Sequence, residues 1–148
     1  MKFSTSIEYA VHGLIYLAQN GNEKPALISD ISNSIKVPEA YLRKVFQQLV
    51  KSGLVVSQRG SKGGFRLSRE PGLISLKDIV EGIDGTLPMY SCLKTVRGCS
   101  LKNPCPVHEA FENARLQMAQ TLGATSLADL LSEISGQEPV VEWLQIAG

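Results

Sequence analysis

Apolar residues recur at helical spacing near the start of the chain, at Ile7, Ala10, Val11, Leu14, Ile15, Leu17 and Ala18. The stripe predicts an amphipathic helix. Thr5 followed three residues later by Glu8 has the form of a capping box, and Gly21 ends the run. Ile28, Ile31 and Ile35 predict a short second helix over about 28–34. Pro38 then stands where a first helical residue belongs. From Pro38 to Ser52, Leu42, Val45, Phe46, Leu49 and Val50 form one core stripe, and Gly53 closes the helix.

The period then changes to two. Leu54–Arg59 reads as a strand, Gly60–Gly64 as a turn and Phe65–Leu67 as a returning strand. Ser75 caps a helix over 76–82, whereas 84–104 has little periodicity. A long helix is expected over 106–122, with Val107, Ala110, Phe111, Ala114, Met118 and Leu122 on one stripe. Ser126 caps a last short helix over 127–131. Three helices followed by a two-stranded hairpin with a basic, glycine-rich tip is the winged helix-turn-helix order. The expected class is therefore mainly α with a small β-hairpin wing. Four segments follow: a DNA-binding domain over 1–82, a cysteine-bearing loop over 83–105, a dimerisation helix with its short successor over 106–132, and an unassigned tail over 133–148.

Composition narrows the classes. The 148 residues are 43% hydrophobic and 20% charged, enough apolar content to bury a core. No apolar run approaches the ~20 residues that span a bilayer, so no membrane partner is expected. The opening residues pass directly into the amphipathic pattern without the marks of a secretory signal, which predicts a cytoplasmic protein. The three cysteines then argue for metal binding or thiol chemistry over a disulfide framework. No nucleophile–base set is recognisable, and Gly60–Gly64 lies between strands where a phosphate-cradling loop would precede a helix. We therefore expect no enzyme.

Charge is segregated. Residues 1–70 hold ten Lys and Arg against five acids, and residues 71–148 hold five against nine. Between 36 and 69, eight basic residues face the single acid Glu39. Such a patch suits a polyanion. On the outer face of the third helix, Arg43 and Lys44 suit guanine, Gln47 suits adenine, and Tyr41 suits a phosphate or sugar contact. Arg59, Ser61, Lys62 and Gly63 at the wing tip suit phosphates or the minor groove of double-stranded DNA. The competing reading is a basic helical face that docks another protein.

The cysteines fall as Cys92-x6-Cys99-x5-Cys105, with His108 completing Cys-x2-His. The spacing departs from the Cys-x2-Cys pairs of structural zinc sites and suits an iron–sulfur cluster, with one place left for an exchangeable ligand.

Three blocks, Ser6-Ile7-Glu8-Tyr9-Ala10, Tyr41-Leu42-Arg43-Lys44 and Arg59-Gly60-Ser61-Lys62-Gly63-Gly64-Phe65-Arg66-Leu67, resemble the Rrf-two family of winged-helix transcriptional regulators, which includes the IscR/NsrR-like iron–sulfur regulators. The resemblance runs to about Leu131 and implies a homodimeric repressor or activator, paired through the long helix, with a cluster held by Cys92, Cys99 and Cys105. A two-iron or a four-iron cluster is compatible with it. For the fourth ligand, His108 resembles the IscR-like arrangement and Glu8 of the partner subunit the NsrR-like one. His12, one helical turn after Glu8, is a further candidate. Operator binding would respond to iron or cluster status, redox state or nitric oxide. Two other functions remain open: a zinc-stabilised winged-helix interaction module and a metal-free thiol redox regulator.

Overall fold

The computed structural model describes residues 2–20, 23–86 and 105–135. Helix α1 (Thr5–Gln19) buries Ile7, Ala10, Gly13, Leu14 and Leu17. The expected Thr5–Glu8 capping box does not form. Ser4 is the N-cap, without a side-chain capping bond. Its N–H and Oγ instead donate to the Asp84 carboxylate, at 3.3 and 2.7 Å. A carboxylate is favoured at a helix N-terminus, and Asp84, distant in sequence, supplies one there in addition to Glu8 of the first turn.

Helix α2 (Ile28–Ile35) buries its three isoleucines and ends at Lys36, whose φ of 57° lies in the left-handed region. Pro38 precedes α3 (Glu39–Lys51) as its N-cap, with ψ 134°, instead of opening the helix. Leu42, Val45, Phe46 and Leu49 are buried as expected. Val50, at the margin of that stripe, is 36% exposed. Gly53 ends α3 with φ 76°. Its N–H donates to the Val50 carbonyl and that of Leu54 to Leu49, the paired bonds of a Schellman turn.

The wing consists of β1 (Val55–Gln58) and β2 (Gly64–Leu67), antiparallel with Val55 opposite Leu67 and Gln58 opposite Gly64. Ala26 exchanges both backbone hydrogen bonds with Phe65, each 2.8 Å, which pins the hairpin to the loop before α2. Phe65 also meets Phe46 edge-on, with ring centroids 5.0 Å apart. Gly13 makes room for Phe46, since a Cβ there would lie 2.7 Å from the ring. Helix α3, the wing and α1 thus share one aromatic contact region.

A 3-10 turn (Pro71–Leu73) leads to α4 (Leu76–Asp84), opened by a complete Ser75–Asp78 capping box and two residues longer at its end than expected. Helix α5 (Pro106–Ala124) has no fully buried residue. Helix α6 (Leu127–Ile134) starts at a second capping box, Ser126–Asp129. The Leu127 N–H donates to the Ile74 carbonyl at 2.8 Å, and Leu127 is buried in the core shared by α1 to α4. Helix α6 is thereby built into the winged-helix body. Among the described residues, no helix is long and apolar enough to cross a membrane.

Candidate nucleic-acid interface

Burying Leu42, Val45, Phe46 and Leu49 turns the other face of α3 outward. Tyr41 (60% exposed), Arg43, Lys44 and Gln47 all lie on that face. Arg43 is ion-paired with Glu39 one helical turn earlier. Across from α3, Arg59, Ser61 and Lys62 are exposed at the wing tip. The helix face and the wing bracket an open cleft of ≈ 290 Å³ whose lining includes Glu39, Arg43, Ser57, Gln58 and Gly60.

Gly63 differs from its neighbours. It is buried, and its N–H donates to the Gly60 carbonyl at 2.9 Å. A Cβ on Gly63 would lie 2.3 Å from the Gln58 carbonyl oxygen, and one on Gly64 2.5 Å from that of Ala26. These glycines allow close backbone approach and shape the tip.

Ser57 and Gln58 were not among the residues singled out by sequence. In β1 only Val55 is buried, so the inward–outward alternation that would mark outward positions is absent. The signal that finds them is the register, which sets Gln58 opposite Gly64 beside the turn.

The candidate metal ligands divide. Cys92 and Cys99 lie outside the described residues. Cys105 is a buried free thiol at the N-cap of α5. His108, one turn further, is half-buried with its Nδ1 atom shielded from solvent. Glu8 and His12 lie a turn apart on α1. Burial lowers the His12 pKa below the ordinary imidazole value, opposed by the nearby Glu8 charge. Among the described residues no three potential metal-binding side chains come together. A thiol and an imidazole one turn apart suit the donor chemistry of an iron–sulfur site.

A winged helix-turn-helix with exposed cations on its third helix and its wing is an architecture of DNA-binding proteins. The chain belongs to the Rrf2 family, described as an iron-dependent transcriptional regulator, which it matches over residues 3–133. It is 29% identical over 131 residues to the HTH-type transcriptional regulator IscR of Xenorhabdus nematophila, covering 88% of this chain and 79% of that one. Among solved structures it resembles CymR, the global cysteine regulator of B. subtilis, with TM-score 0.72, 30% identity and coverage of 90% and 98% of the two chains. IscR of T. potens gives TM-score 0.71 at 29% identity, with 93% and 92% covered. The chain is a DNA-binding transcriptional regulator of the winged-helix type.

Proposed function

We propose that the protein is a homodimeric cytoplasmic regulator whose operator binding is modulated by an iron–sulfur cluster. Cys92, Cys99 and Cys105 are the proposed thiolate ligands, with His108 as the fourth and Glu8 or His12 of the partner subunit as alternatives. The observation that carries the reading is the position of Cys105. It caps α5, with His108 one turn inside, at the end of the segment that holds the other two cysteines. When bound, the cluster supplies a thiolate-held centre whose charge and integrity depend on iron and oxidants. Tyr41, Arg43, Lys44 and Gln47 read the major groove, while Arg59, Ser61 and Lys62 engage the backbone beside it. Gly63 supports them from beneath. Pairing is assigned to α5, on which Val107, Phe111 and Leu116 are 44%, 41% and 45% exposed. Apolar surface of that kind on a helix without a buried residue suits a second copy.

A metal-free thiol regulator is the second reading, favoured by the likeness to CymR, a cysteine regulator. Anaerobic purification followed by visible absorption and by iron, sulfide and zinc analysis separates the readings. Iron and sulfide with charge-transfer bands support the cluster. Zinc alone supports a structural metal module, and the absence of all three in anaerobically purified protein supports the thiol regulator.

A further inference from the structure

Glu39 is the only acid among the charged residues from 36 to 69, and it occupies the first turn of α3. That turn is where recognition helices present side chains to base edges. Its carboxylate pairs with the Arg43 guanidinium, and both residues line the cleft between α3 and the wing. A carboxylate there is repelled by phosphates, while the guanidinium alone would bind a phosphate as readily as a guanine edge. The Arg43 side chain remains 58% exposed, and its guanidinium carries more N–H donors than one carboxylate oxygen can use.

We propose that Glu39 is a specificity-determining residue of α3, holding the Arg43 guanidinium for a guanine edge and away from the DNA backbone. This rests on the proposed reading of α3 as the DNA-reading helix. Glu39 acts as a positioning residue whose charge also disfavours wrong sites. An unfavourable contact of this kind separates partners as effectively as a favourable one. Once released from Glu39, Arg43 gains a phosphate on any sequence, so selectivity falls while general affinity rises.

The test uses the full chain and a duplex enriched by it from a random library, with a scrambled duplex of the same composition for comparison. Anisotropy titrations over a salt series are run for the wild type, Glu39→Gln, Arg43→Ala and the double variant. For Glu39→Gln we expect tighter binding to the scrambled duplex, with a salt slope steeper by about 0.9 for each phosphate gained. Preference for the enriched duplex should fall at least about fivefold. In the Arg43→Ala background the same substitution should leave the salt slope unchanged. A shift in melting temperature without these changes would reduce the pair to a helix-stabilising contact and overturn the proposal. An equal gain of general affinity in both backgrounds would also overturn it, since Glu39 would then act by repulsion alone. Failure of the wild type to enrich any duplex would remove the DNA-reading face itself, and this role with it.

Discussion

Arg43 and Lys62 are both exposed cations, yet they face different parts of a duplex in the proposed complex. Arg43 lies on α3, the helix proposed to enter the major groove, where a fork of donors distinguishes bases. Arg43→Ala should therefore cost about 1–3 kcal/mol on the preferred site and relax sequence preference. Lys62→Ala should weaken all sequences alike and make the salt dependence shallower. Operator titrations across a salt series check both, and a sequence-selective loss for Lys62→Ala at constant slope would contradict its role. Asp78 gives a residue-scale expectation about folding. Its pKa is lowered: partial burial pushes it up, but bonds from the Ser75 N–H and hydroxyl and the charge of Arg69 outweigh that effect. The stabilisation is full above the unfolded value of about 3.9 and is lost as pH falls through the lower folded value. Acid unfolding of Asp78→Asn should show a weaker pH dependence in that range than the wild type.

At the scale of elements, fit between α1 and α3 is decisive. Gly13→Ala would force a methyl group against the Phe46 ring, at a cost of about 1–3 kcal/mol for overpacking. Chemical denaturation measures it, and an unchanged midpoint would mean that the ring moves aside freely. Phe111→Asp addresses α5: it should give monomers or insoluble protein, and a soluble native dimer by sedimentation would refute pairing through this helix. The spacing of isoleucines, leucines and Phe46 made α1, α2 and α3 legible, because a core imposes its period on every buried turn. The entrances of α4 and α6, at Ser75 and Ser126, were legible too, but those of α1 and α3 were less so. The choice between Thr5 and Ser4 depends on Asp84, eighty residues away, and Pro38 fits either side of a helix start. The wing was readable as a hairpin, but the closeness of Gly64 to Ala26 depends on tertiary pairing that no local pattern contains. The exposed face of α3 was legible as the complement of its buried stripe; the Glu39–Arg43 pair needed side-chain geometry.

On the scale of the whole molecule, the Asp84–Ser4 link ties the end of α4 to the start of α1, which packs against α3. Asp84, the last residue of α4 and already within the cysteine-bearing segment 83–105, holds the start of α1. Helix α1 in turn presses Gly13 against Phe46 of α3. In the proposed regulator, a change in the cluster loop shifts α1 and with it the α3 helices of both subunits. A dimer on DNA requires a fixed half-site separation, so a small rotation suffices to weaken binding. Coupling of this kind usually amounts to about 1–3 kcal/mol, or roughly 5–150-fold in affinity. The direct measurement is operator affinity of the anaerobically purified cluster-bearing protein against the same protein after cluster removal, on one duplex at one salt concentration. The account predicts a difference within that range; equal affinity of the two forms for every operator would contradict it.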